Sequence, residues 1–173
     1  RSSHLRTDAQ RSERKSYDTV PIHDAADYQG MRVAGRLSAE VLDFIKPHVI
    51  PGVSTGELDR LCHDYILKHE AIPAPLNYRG FPKSICTSVN HVVCHGIPDD
   101  NRKLENGDII NVDVTPILEG WHGDTSRTFL VGDVSPIARR LVADTHKAMW
   151  LGIRVVSPGA RVGDIGHAIQ TFA

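Results

Sequence analysis

A chain of 173 residues, 40% hydrophobic and 24% charged, is long enough to bury one substantial core and has the composition of a globular domain. Its formal net charge of -1 argues against nucleic acid or an anionic membrane as the main partner, because both recruit a basic excess. No apolar run approaches the roughly 20 residues that span a bilayer, no signal-peptide pattern opens the chain, and Cys62, Cys86 and Cys94 show no CxxC spacing, so reduced thiols in a cytoplasmic protein are expected.

The first residue is Arg1 rather than methionine, which points to a processed form, an expression product or a fragment. Residues 1–20 are polar, charged and without apolar periodicity, and predict a poorly ordered tail ahead of a folded unit over 21–173. A helix follows. Asp24 can cap it, and Met31, Ala34, Leu37, Val41, Leu42 and Ile45 recur at helical spacing until Pro47 stops it. In "PGVSTGELDRLCHDYI" Ser54 and Glu57 have capping-box spacing, and Leu58, Leu61, Cys62, Tyr65 and Ile66 form one apolar face. From Ala74 to Val131 the pattern changes to short strands punctuated by turn signals. Beyond Ile137 it is helical again, with Ser135 placed to cap and Pro136 suited to the first helical position.

The chain also repeats itself. "PGVSTGEL" at Pro51 is echoed by "PGARVGDI" at Pro158, 107 residues on, and each copy follows an apolar helical run. A duplication would give one complete copy and the opening of a second. The strands and acidic residues that follow the motif in copy one would have their counterparts past Ala173, so the sequence is expected to stop in mid-domain.

The stretch "NVDVTPILEGWHGDTSRTF" reads as a hairpin turning at Glu119 and Gly120, yet each strand carries an aspartate, a poor strand residue and a costly one to bury. In that register Leu118 faces Trp121, Thr115 faces Asp124 and Asp113 faces Ser126. Alternation then puts Asp113 and Asp124 on one side with Thr115 and Ser126, while Ile110, Val112 and Val114 point into the core. Close carboxylates share either a proton or a cation, and rigid strand positions suit a cation. The plainer alternative is an aspartate exposed on an edge strand.

Upstream lies "GFPKSICTSVNHVVCHGIPDD", residues 80–100. Together with "NVDVT", "HGDTSRTF" and "MRVAGRLSAEVL", it closely resembles the type I methionine aminopeptidases, over about Asp27 to Ala173. The resemblance implies an α/β (α+β) pita-bread fold, of two pseudo-symmetric halves around a dinuclear metal centre, with the first half complete and the second truncated. It implies that Asp113 and Asp124 are metal ligands, that His95 of "CHGIP" is catalytic and close to substrate, and that Tyr78, Phe81 and Cys86 line the pocket for a methionine side chain. An aromatic and sulfur lining suits a thioether. The implied cofactors are two divalent ions, Co, Mn, Fe(II) or Zn, which sequence does not distinguish.

The implied activity is removal of the N-terminal methionine from nascent polypeptides in the cytoplasm. The partners are N-terminal Met peptides, with the ribosome as a further candidate and no nucleic acid or membrane; the full-length protein is expected to be monomeric. The tail has no Cys/His zinc-finger pattern, which favours a bacterial-style architecture. His91 stands where relatives often carry glutamate. The family's remaining ligands, one histidine and two glutamates, come from the second half, so the chain alone is expected to bind metal weakly and turn over nothing. His122, His146 and His167 do not match those motifs and read as surface or turn residues, while Cys94 reads as a buried residue behind the site and Trp121 as packing at the turn. The rival readings are a proline-specific peptidase of the same fold and a catalytically inactive pita-bread binding module.

Overall fold

The computed structural model describes residues 20–173, so the expected tail falls, Val20 apart, outside the described residues. Helix α1, Ala25–Ile45, begins where Asp24 predicts. The Asp24 carboxylate accepts from the amides of Ala26 (2.9 Å) and Asp27 (3.0 Å), and Asp27 accepts in return from the Asp24 amide, so three otherwise orphaned donors are satisfied. Ala34, Leu37, Val41, Leu42 and Ile45 are buried as the periodicity requires; Met31 is not, being 46% exposed although the neighbouring Gly30 is covered by Trp121. The helix tightens into a 3-10 turn over Lys46–His48, around Pro47.

Helix α2 runs over Thr55–Lys68, capped by the Ser54 hydroxyl, which accepts from the Glu57 amide at 3.1 Å. Glu57 does not return the bond; its carboxylate pairs with exposed Arg60 at 2.7 Å, a solvent-screened contact of little weight. Leu58, Cys62 and Ile66 are fully buried, and Leu61 and Tyr65 pack partly against the same core.

Six short strands follow: β1 (Ile72–Pro73), β2 (Cys86–Val89), β3 (Ile109–Val114), β4 (Pro116–Leu118), β5 (Trp121–His122) and β6 (Thr125–Leu130). They form two antiparallel sheets, ordered β1-β4-β5 and β2-β3-β6. Glu119 (φ 49°) and Gly120 (φ 81°) are both left-handed, the conformation a two-residue hairpin turn needs to match strand twist. The expected register holds on both sides of the break between sheets, with Asp113 opposite Ser126 and Leu118 opposite Trp121. Ile110, Val112 and Val114 are completely buried in one core with α1 and α2.

The chain closes with a helical pair, α3 (Pro136–Arg154) and α4 (Val162–Phe172). Ser135 caps α3 through the Ala138 amide at 3.2 Å, and Pro136 opens it. The sequence repeat is also a repeat of conformation. Gly52 (φ 93°) and Gly159 (φ 89°) make the same left-handed turn after a long helix, and α2 and α4 begin at matching positions.

Candidate functional site

The open face of the β2-β3-β6 sheet gathers the polar residues. Cys86 of β2 lies directly opposite Asp113, and Ser126 of β6 faces Asp113 from the other side. Asn111, two residues before Asp113, donates through its amide to Ser126 (3.2 Å) and Thr128 (3.1 Å), which ties β3 to β6 on that face. Asp124 lies two residues before Ser126, and the ladder brackets its position: Val114 pairs with Thr125, and the Gly123 amide donates to the Pro116 carbonyl at 2.9 Å.

What sets the height of Asp124 is the glycine before it. A Cβ at Gly123 would overlap the Ala34 carbonyl of α1, and the Ser38 hydroxyl makes a short contact to the Gly123 carbonyl. One turn earlier, Gly30 receives the Trp121 indole, which a side chain there would strike. Gly30, Ala34 and Ser38 are thus a shallow groove on α1 in which the far strand of the hairpin lies. Trp121 packs at the turn as expected, with His23 edge-on to its ring at 5.7 Å.

His95 arrives from the loop after β2. The Thr87 amide donates to the Gly96 carbonyl at 2.8 Å and the Gly96 amide to the Ser88 hydroxyl at 3.1 Å, so this loop is stitched to the edge of β2. Only glycine fits at 96, since a Cβ would run into the Thr87 carbonyl. His95 itself holds φ 55°, a left-handed conformation that costs a non-glycine residue on the order of 1–3 kcal/mol and that collects at functional sites.

The three groups act on one another. Burial, with the neighbouring Asp124 carboxylate, pushes Asp113 up from its ordinary range, and His95 pulls it the other way. Burial and then the Asp113 carboxylate push the Cys86 thiol up to about 11, with smaller contributions from Cys94, Asp124 and Asp59. An acid raised in this way favours the fold while protonated and costs stability once ionised. A cation bound between Asp113 and Asp124 would relieve that cost, so the donor chemistry of this face fits a divalent metal with oxygen ligands. Two carboxylates do not make such a site by themselves: among the described residues, no cluster of three or more His, Cys, Asp or Glu side chains is arranged to hold a metal ion.

The remaining expected residues lie on the segment leading into β2. Tyr78, 62% exposed, stands between Asn77 and Arg79, both with positive φ, and the Arg79 guanidinium lies 5.3 Å over its ring. Phe81 is half-buried. This strap leaves the sheets where the Ala74 amide donates to the Thr115 carbonyl at 2.9 Å and re-enters at Cys86, so both its ends stand beside Asp113. His122, His146 and His167 are exposed, as expected. Cys94 departs from its reading: it is exposed, because β2 ends at Val89 and left-handed Asn90 (φ 53°) throws "HVVC" out into the loop instead of extending the strand. Asp59 escaped the sequence reading, since an acid on an amphipathic helix reads as solvated; its burial beside the strap gives it a role discussed below.

Residues 29–173 match the description Metallopeptidase family M24. The chain is 61% identical over 155 residues to a methionine aminopeptidase of Rickettsia prowazekii, covering 90% of this chain and 60% of that protein. It is 53% identical over 154 residues to a methionine aminopeptidase of Escherichia coli K12, covering 88% and 58%. The crystal structure of the Rickettsia prowazekii methionine aminopeptidase superposes with a TM-score of 0.87 at 60% identity, over 89% of this chain and 62% of that one. A Xaa-Pro dipeptidase from Bacillus anthracis shares the fold, with a TM-score of 0.77 at 18% identity over 87% and 41%. The helices and antiparallel sheets of this chain are therefore those of the pita-bread metallopeptidases. The chain belongs to metallopeptidase family M24. It spans about 60% of the length of the curated relatives it matches.

Proposed function

We propose that this chain carries part of the catalytic site of a methionine aminopeptidase, one that removes the N-terminal methionine from newly made polypeptides in the cytoplasm. The observation that carries this reading is the meeting of Asp113 and Cys86 on neighbouring strands with Asp124, from the segment between β5 and β6, and His95, from the stitched loop, both near enough to act on the Asp113 carboxylate. High identity to proteins named methionine aminopeptidase supports the substrate class. Three unpaired thiols agree with a reducing compartment, and no helix among the described residues is long and apolar enough to cross a membrane.

In this reading Asp113 and Asp124 hold two divalent cations. Such ions, when bound, supply Lewis-acid polarisation of the scissile carbonyl and lower the pKa of the attacking water toward neutrality. Asp113, being half-buried, presents its charge in a setting where water screens it less than at the surface. His95, next to the stitched Gly96, would donate a hydrogen bond to charge developing on the peptide oxygen or nitrogen. Cys86 and the aromatic rings of Tyr78 and Phe81 offer the methionine thioether soft, polarizable contacts. The identity of the cation is left to measurement, because an oxygen-rich set with a histidine accommodates Mn, Fe(II), Co or Zn.

Calorimetric titration of the chain with Mn(II) or Co(II), beside D113N and D124N, tests the metal assignment. Binding that weakens in each single variant and vanishes in the double variant is expected; binding unchanged by loss of both carboxylates would sink it. Substrate class is read from methionine release by the longer protein on Met-Ala-Ser, with an Xaa-Pro peptide as comparison. Preferential cleavage of the proline peptide would move the assignment to the proline-specific branch of the fold.

A further inference from the structure

The strap from Ala74 to Cys86 has its ends fixed by the sheets, and on its approach to Cys86 the Ile85 side chain is sunk in the core while Ser84 borders α2. Between the strap and α2 lies a cavity of about 270 Å³, lined by Asp59, His63, Leu76, Pro82, Lys83 and Ser84 among others. Beside the core packing of Ile85, polar contacts cross from α2 to the strap. Asp59, 6% exposed, uses one carboxylate oxygen to accept from the amides of both Ser84 (2.8 Å) and Ile85 (3.0 Å). One turn further along α2, His63 Nδ1 hydrogen-bonds the Ser84 hydroxyl at 2.7 Å. Neither Ser84 nor Ile85 belongs to a strand, so their amides depend on this carboxylate for a partner.

We propose that Asp59 is a positioning residue: by gripping the amides of Ser84 and Ile85 it fixes where the chain enters β2, and thereby the placement of Cys86 against Asp113. The proposal rests on the reading of that face as a substrate site, but its geometry does not. A carboxylate accepting two backbone donors in a buried setting is a strong and directional tie, and cutting it leaves both donors unpaired. The strap would then loosen around Ser84, on the side of the cavity, while the rest of the core, around Cys62, stays closed. Asparagine keeps an oxygen for the two amides and can turn its NH2 toward the cavity, so D59N retains the grip where D59A loses it.

The cysteines report the difference. Cys86 sits at the end of the strap, whereas Cys62 is fully buried in the core and is released only when the core opens. Alkylation by iodoacetamide, resolved residue by residue by peptide mass mapping, is expected to show Cys86 reacting on the order of tenfold or more faster in D59A, with Cys62 still protected. D59N should stay within a few-fold of the wild type. Asp59 also raises the Cys86 thiol slightly through its charge, and that influence is lost equally in both variants, so their difference isolates the hydrogen bonds. Parallel exposure of Cys62 and Cys86 in D59A, no change at Cys86, or equal reactivity in D59A and D59N would each overturn the proposal. Should D59A not fold, hydrogen exchange on the wild-type chain decides: Ser84 and Ile85 amides must be protected although they lie outside any strand, and rapid exchange there refutes the grip. None of these readouts requires turnover or metal, so failure of the peptidase reading would leave them standing.

Discussion

The two copies of the helix–turn–helix repeat offer a controlled comparison within one molecule. In the first, α1 lies across β3, β4, β5 and β6 and contacts α2, and its apolar stripe is sealed. In the second, α3 and α4 pack chiefly on each other: on α3 only Ala148 and Gly152 are buried, while Leu141, Met149, Trp150 and Ile153 remain exposed among the described residues. Both copies share the Pro-Gly turn, the left-handed glycine and the helix start, so local chemistry is enough to make the helices. Burial, and most of the stability, comes from what lies against them.

Substitution at matched positions sharpens the contrast. The largest difference should come from Leu42, 2% exposed, against its counterpart Met149, 43% exposed. L42A is expected to cost about 2–5 kcal/mol in urea unfolding, and M149A to stay within about 0.5 kcal/mol. Next are the glycines of the second helix in each copy. A Cβ at Gly56 would overlap the Asp100 side chain and crowd its backbone amide at 2.9 Å, whereas one at Gly163 meets nothing within 4 Å. G56A should lose about 1–3 kcal/mol, while G163A should be neutral or gain up to about 1 kcal/mol in thermal unfolding. Equal effects at either pair would break the comparison. Removing the cap with S54A comes third, at about 1 kcal/mol, and is checked by the same unfolding curves.

The smallest effect at neutral pH belongs to Cys62, whose counterpart, Ile169, does not titrate. Burial, and to a lesser degree the Asp59 carboxylate, pushes the Cys62 thiol up to about 12 from 9.0. A folded-state pKa above the unfolded value means that the contribution of the thiol is complete below pH 9 and is lost as pH rises toward 12. C62A should therefore flatten the alkaline arm of a stability–pH profile measured by urea midpoint. An unchanged slope between pH 9 and 11 would show that other groups control it.

Much of the candidate site was legible because it follows from period-two alternation. Once the turn at Glu119 and Gly120 is recognised, the facing of Asp113 with Ser126 is arithmetic. The caps at Asp24, Ser54 and Ser135 were legible for the same reason, as short-range chemistry. The groove of Gly30, Ala34 and Ser38 was not, because a small residue acquires meaning only from the partner that fills its space. Asp59 was missed on similar grounds: its amide partners lie 25 and 26 residues away, and nothing nearby in sequence announces them. Cys94 and Met31 misled because apolar neighbours suggest burial, while where β2 ends and which side of α1 the sheets cover decide it. The positions of Tyr78 and Phe81 on the strap came from likeness to a family rather than from any periodicity.

The chain contains two tryptophans, one packed against the first helix of the first copy and one carried by the first helix of the second. Trp121 is wedged over Gly30 at the tip of the ribbon that carries both aspartates, while Trp150 stands half-exposed on α3, its indole nitrogen 3.2 Å from His146. The protein thus has a natural pair of fluorophores. The emission of one follows the seating of the acidic ribbon, and that of the other follows the surface its counterpart helix leaves open, so each half of the molecule can be watched without attaching a dye.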